Sequence, residues 1–155
     1  MRTSSDMVTV FVVRPDAAGT SHEFLQLHRV PEDYMGKTWQ LIRGGLNPGE
    51  NAVRGALREL HEEAGLVPAE FYRLGTVESF YTPIDDTLWH SVAFCALVSR
   101  DAAVVLNEEH DGARWIPRSQ FPRACMWASE RELLDELFAE ILGNGPAKAL
   151  LRIML

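Results

Sequence analysis

Three glutamates, Glu59, Glu62 and Glu63, crowd the short run Arg58-Glu59-Leu60-His61-Glu62-Glu63-Ala64-Gly65 of this 155-residue chain. On a helix they stand at i, i+3 and i+4, so the three carboxylates leave one face together and repel by about a few tenths of a kcal/mol per pair even in water. Oxygen donors held this way suit a hard cation, Mg2+ or Mn2+, whose charge offsets the repulsion. A solvated acidic face is the ordinary alternative, and Arg58, four residues before Glu62, supports it. Two features favour the metal. The segment contains no lysine, and Gly55 sits mid-helix at a cost of about 1 kcal/mol relative to alanine, so packing rather than propensity dictates the element.

The helix that must present these groups is expected over Asn51 to Ala64. Pro48-Gly49-Glu50-Asn51 supplies a turn and an N-cap, and Gly65 stands where a left-handed residue ends a helix. Val53, Ala56, Leu57, Leu60 and Ala64 follow the three-and-four spacing of a buried stripe. Strands are expected at Val8–Arg14, Glu23–Arg29, Thr38–Ile42, Phe71–Tyr81, Leu88–Val98 and Ala113–Pro117, from β-branched and aromatic content and turn signals. A second amphipathic helix is expected over Ala128–Leu142, stopped by Gly143-Asn144-Gly145-Pro146, with one more short turn or helix after Ala147. The expectation is one mixed α/β domain over residues 1–155.

Composition narrows the partners. Fifteen Lys and Arg against twenty-two Asp and Glu leave a formal charge of −7, which argues against a nucleic-acid polymer as electrostatic partner. Cys95 and Cys125 have no ligand spacing and read as free thiols. No run approaches the roughly twenty apolar residues of a membrane span, so a cytoplasmic protein with no membrane partner, monomer or homodimer, is expected.

Gly44, five residues, Glu50, seven residues, then Arg58-Glu59-Leu60-His61-Glu62-Glu63-Ala64-Gly65-Leu66 resembles the complete signature of the Nudix hydrolases, G-x5-E-x7-R-E-U-x-E-E-x-G-U with U aliphatic. The resemblance implies an α/β/α sandwich with a mixed sheet, and metal-assisted water attack on a diphosphate linked to another moiety. It makes Glu59, Glu62 and Glu63 metal ligands, with the Gly44 carbonyl as a further one. Arg58 would orient the carboxylates, and Glu50 would be a structural brace or an outer ligand. Glu62, Glu109 and Arg58 form the catalytic set it implies, Glu109 being the extra ligand or general base from the loop Asn107-Glu108-Glu109-His110-Asp111. A solvated turn remains an even alternative for Glu108, and His110 is a candidate for assisting proton transfer with polar surface as its ordinary alternative.

Substrate choice rests on thinner signals. Trp39-Gln40-Leu41-Ile42-Arg43-Gly44-Gly45 departs from the common W-x-L-P-G-G by placing Ile42-Arg43 where Pro-Gly usually stands. It is similar to the branch that hydrolyses dATP or dihydroneopterin triphosphate, so a small nucleoside triphosphate-like substrate is expected. Dinucleoside polyphosphates, nucleotide sugars and a non-catalytic nucleotide-binding module are the alternatives. Arg29, Arg43 and Lys37 are candidates for a phosphate clamp, and Trp39, Tyr81 and Trp89 for stacking on a base, each with an ordinary surface or core role as its alternative.

Overall fold

The computed structural model describes residues 1–155 and buries the run Val8-Thr9-Val10-Phe11-Val12-Val13 completely, at 0–1% exposure. A strand buried on both faces has no polar side to show, which is why this stretch does not alternate, and its one polar side chain, Thr9, is hydrogen-bonded to Glu78 and Ser91. It belongs to β1 (Arg2–Pro15), which pairs in parallel with β6 (Thr87–Leu97) along one edge. Its other edge is shared by β2 (His22–Arg29) and β4 (Ile42–Gly45), both antiparallel. β2 carries β3 (Trp39–Gln40) and β7 (His110–Pro117), while β5 (Glu70–Thr82) joins β6 and β8 (Arg152–Ile153) closes the far side. The result is one eight-stranded mixed sheet.

Pleating sends successive β1 side chains to opposite faces. Val8, Val10 and Val12 meet Ala56, Leu60 and Ala64 of helix α1 (Ala52–Ala64), with Phe71, Phe94 and Leu66. Phe11 and Val13 meet Phe24, Phe121, Leu133, Leu134, Leu137 and Ile141 on the other side. Helices therefore cover both faces, the α/β/α arrangement that the signature implies.

The stripe on α1 differs from the expected one. Its buried positions are Gly55, Ala56, Glu59, Leu60, Glu63 and Ala64, whereas Val53 and Leu57 are only half-buried at the edge of the core. The helix is rotated so that two carboxylates go inward. Leu60→Ala should therefore cost about 2 to 5 kcal/mol and Leu57→Ala less than half of that, as equilibrium unfolding would show. Equal losses would contradict this rotation.

Two further expectations are corrected. The strand expected at Thr38–Ile42 is two strands, because Leu41 turns into the core between β3 on β2 and β4 on β1. The late helix is divided into α3 (Ala128–Glu132), α4 (Leu134–Glu136) and a widened π-helical turn over Leu137–Leu142. Widening the last turns keeps Leu137 and Ile141 in the core while Glu136 accepts hydrogen bonds from the backbone N–H groups of Gly75 and Thr76 at 2.7 and 2.9 Å. A short helix α2 (Phe121–Ala124) precedes them, and the short helix expected after Ala147 is α5 (Lys148–Leu151), followed by β8. No helix is long and apolar enough to cross a membrane.

Candidate active site

The box begins on β4, turns through residues 46–51 and continues along α1. Asn51 caps the helix, its side chain accepting from the Arg54 N–H at 2.9 Å, and Gly65 ends it in the left-handed conformation at φ 66°. Gly55 is explained by packing, because an added Cβ would overlap the Leu46 side chain.

Arg58 organises the turn. Its guanidinium donates to both oxygens of Glu50 at 2.9 and 2.8 Å, to Glu59 at 2.6 Å, to Glu62 at 3.2 Å and to the Gly45 carbonyl at 2.8 Å. Glu50 also accepts from the Asn47 N–H at 2.9 Å. The Arg58 hydrogen bonds, reinforced by that N–H, hold the Glu50 carboxyl well below the usual carboxylate range. Glu50 is thus committed to the brace, with both oxygens taken.

The three helix carboxylates have different surroundings. Glu62 is exposed and touches only Arg58. Glu59 is 8% exposed, and an added Cβ at Gly44 would overlap its carboxyl group. Only glycine at position 44 lets that carboxylate lie against β4. Glu63 is 3% exposed and its Oε2 has no hydrogen-bond partner. Burial, then the charges of Glu59 and Glu109, push its carboxyl up to about 9. Burial likewise raises Glu59, with Arg58 opposing. A buried carboxylate oxygen without a donor is rare in proteins and costs about 1 to 3 kcal/mol. An oxygen-only set with such an orphan fits a hard divalent cation. No three His, Cys, Asp or Glu side chains converge closely enough to ligate one ion without rearrangement, since Arg58 holds Glu59 and Glu62.

Glu109 comes from outside the box. It is half-buried just before β7, where its own carbonyl accepts from the Val30 N–H at 3.0 Å, and its charge reaches both Glu59 and Glu63. Glu108 beside it is exposed. His110 is not polar surface. It is 4% exposed opposite Arg29, and its Nδ1 is unpaired.

A family model described as NUDIX domain matches residues 6–137. The chain belongs to the Nudix family. Mutator protein MutT4 of Mycobacterium tuberculosis is 28% identical over 114 residues, 70% of this chain and 46% of that protein. The chain spans about half or less of the length of the curated relatives it matches. Among solved structures, a C. elegans Ap4A hydrolase binary complex superposes with TM-score 0.72 at 22% identity over 92% of this chain and 99% of that one. The E. coli dihydroneopterin triphosphate pyrophosphohydrolase does so with TM-score 0.68 at 17% identity, over 90% and 95%. At these identities the likeness is one of fold.

Next to the Nudix box opens a cavity of about 890 Å³. Gly44 lies on its wall, so the cavity reaches the residue against which Glu59 rests. Arg29 also lines it, pairing with Asp33 at 3.3 Å while its Nε is buried without a partner. Arg43 lines it too, but its guanidinium is engaged by Glu78 at 2.8 Å and Glu130 at 3.3 Å and lies 5.0 Å over the Phe80 ring. Tyr81 and Trp89 are on the wall. Trp39 is not. It packs between the His28 ring, at 4.9 Å, and the Arg114 guanidinium, at 4.2 Å. Lys37 is exposed in a turn with φ 65°.

The sequence reading missed Glu78, Trp127, Ser129 and Glu130, all near Arg43. Glu78 had a signal, a carboxylate inside the apolar strand run from Phe71 to Tyr81. Glu130, in the first turn of the late helix, looked like an ordinary helix-start acid.

The raised carboxyl of Glu63 has a consequence for stability. Its group keeps its proton in the folded metal-free protein at pH values where the unfolded chain, near 4.5, has lost it. Stability is therefore fully present below about pH 4.5 and is lost progressively as pH rises towards about 9. Melting curves in chelator should fall across that window, and Glu63→Gln should flatten the fall. An equally steep fall in the variant would assign it to another group.

Proposed function

We propose that this Nudix domain, read as one unit over residues 1–155, hydrolyses a diphosphate linkage in a small nucleoside triphosphate-like substrate with the help of Mg2+ or Mn2+. The observation that carries the reading is the orphaned, buried Oε2 of Glu63, one helical turn from Glu59, whose carboxyl group rests against Gly44 on the wall of a cavity large enough for a nucleotide.

Glu59, Glu62, Glu63 and the Gly44 carbonyl would hold the cation. When bound it supplies charge neutralisation for the anhydride and activation of the attacking water. The chain's own groups do the rest. Arg58, held by Glu50, keeps Glu59 and Glu62 aimed. Glu109, on a loop rather than the helix, accepts the proton from the attacking water at its carboxylate. Arg29, on the cavity wall, neutralises phosphate charge there. The cavity wall excludes water from the linkage. Arg43, committed to two carboxylates, does not serve as a phosphate clamp, and Trp39 is left outside the substrate contacts.

Dinucleoside polyphosphates are the second reading, since an Ap4A hydrolase shares the fold. A panel of nucleoside triphosphates, dihydroneopterin triphosphate, dinucleoside polyphosphates and nucleotide sugars, assayed for phosphate or pyrophosphate release, decides between them. Turnover should require added Mg2+ or Mn2+ and vanish in excess chelator. Undiminished turnover in chelator would sink the metal reading. No turnover of any member at high enzyme concentration would leave a nucleotide-binding module.

A further inference from the structure

The loop that carries Glu109 enters β7 through an irregularity. Along β2 and β7 the register runs from Glu23 opposite Pro117 to His28 opposite Gly112, and the next pair is Arg29 opposite His110. One residue, Asp111, is therefore extra on β7, a β-bulge. Successive side chains on a strand point to opposite faces, so inserting one residue exchanges the faces of everything beyond it. Leu25 and Leu27 lie in the core beneath α1, and Arg29 follows them on that side. With the bulge, His110 joins Arg29 there and is buried. Without it, Asp111 would oppose Arg29, and His110 and Glu109 would each turn to the other face.

Side chains from both strands hold the extra residue. Asp111 Oδ1 accepts from the His28 ring at Nδ1, 2.5 Å away. The His28 ring packs on Trp39, whose other neighbour, the Arg114 guanidinium, donates twice to Gln26 Oε1 at 3.0 and 2.7 Å. Gly112 leaves room for this stack, because an added Cβ would come within 3.3 Å of the His28 Cβ and 3.5 Å of the Trp39 ring. Glu109 is tied down by its backbone, its carbonyl accepting from Val30 and its N–H donating to the Asn107 side chain at 3.1 Å. The bulge then sets the direction in which its side chain leaves. Asp111 is 45% exposed and His28 25%, and a contact this open adds little to stability. Its leverage is geometric.

We propose that Asp111 and His28 are positioning residues for Glu109, their contact fixing the bulge that turns the Glu109 carboxylate towards the acidic face of α1. The proposal rests on reading Glu109 as the proton acceptor of a phosphoanhydride hydrolase. Trp39, outside the substrate contacts, then has a use as the platform on which His28 is held.

The test is a double-mutant cycle on the best substrate of the panel with Mg2+. Asp111→Ala should lower kcat by about tenfold to a hundredfold, the scale of a misplaced group, with KM and the Mg2+ affinity of the free protein within about threefold of the parent. Asp111→Asn, which keeps an acceptor oxygen for His28, should restore kcat to within about threefold of the parent. Added to Glu109→Gln, Asp111→Ala should cost less than about twofold more, because the group it aims is already disabled. Losses that multiply overturn the proposal and leave Glu109 as the acceptor. Parental kcat in Asp111→Ala overturns it too, as does an Asp111→Asn variant as slow as Asp111→Ala. Parental kcat in Glu109→Gln alone overturns the reading beneath. If Asp111→Ala does not fold, His28→Phe, which keeps a ring on Trp39 and removes the nitrogen, takes its place in the same cycle.

Discussion

Glu63→Gln is expected to lower kcat by about three orders of magnitude or more in saturating Mg2+, because it removes the one buried carboxylate oxygen whose lone pairs nothing in the chain satisfies. The same change should leave the metal-free protein folded, with a melting temperature at or above that of the parent at pH 7. Gln fills the same volume, and a neutral amide is easier to bury than a carboxylate pushed up to about 9 by desolvation. Catalysis and stability would thus move in opposite directions, which a simple packing role cannot produce. Glu62→Gln should be milder in both respects, since that side chain is exposed and touches only Arg58. Parental kcat in the Glu63 variant, measured on the best substrate of the panel, would remove the basis of the metal reading.

Glu109→Gln is expected to lower kcat by about 10² to 10⁴, the range for a lost general base, with little change in the metal affinity of the free protein. Glu109 sits on a loop and feels Glu59 and Glu63 only through their charges. The matching control is Glu108→Gln, whose exposed side chain should tolerate the change within about a fewfold. Metal titration of both variants, paired with kcat, separates a proton acceptor from a ligand. If Glu108→Gln takes the larger loss, the two residues exchange roles.

The parts of this fold that could be read from the sequence are those where the local signal and the tertiary demand agree. The α1 helix has its cap at Asn51, its stop at Gly65 and a strict spacing between, and the structure keeps all three. Which face of α1 is buried was less legible, because two of the buried positions are glutamates and the hydrophobic stripe alone pointed to Leu57. A charged residue inside contradicts the simplest reading of amphipathicity, and that contradiction marks the site. β1 begins at Arg2 rather than Val8 because parallel pairing with Thr87–Trp89 imposes extended structure on polar residues that have no pattern of their own. The late helix was mistaken for one piece since Leu133, Leu134, Leu137 and Ile141 fit a helical period closely enough to hide the change of pitch. Arg43 was visible as a departure from the family pattern, but its partners Glu78 and Glu130 come from β5 and α3, and no spacing along the chain announces that meeting.

The central pairing of the sheet also bears on how the chain comes to be folded. Val10 lies beside Phe94 in a parallel register, so β1, made first, has to wait for β6 before its inner edge is covered. Contacts so distant in sequence are entropically expensive to close, and chains dominated by them fold slowly. Until then the Val8–Val13 run offers bare backbone and a β-branched, uncharged surface, the combination that recruits neighbouring chains into aggregates. A nascent or truncated product ending before residue 87 would already contain the whole of α1 and yet remain sticky. Yield from an expressing cell should accordingly depend on growth temperature and chaperone supply more than the thermodynamic stability of the finished domain would lead one to expect.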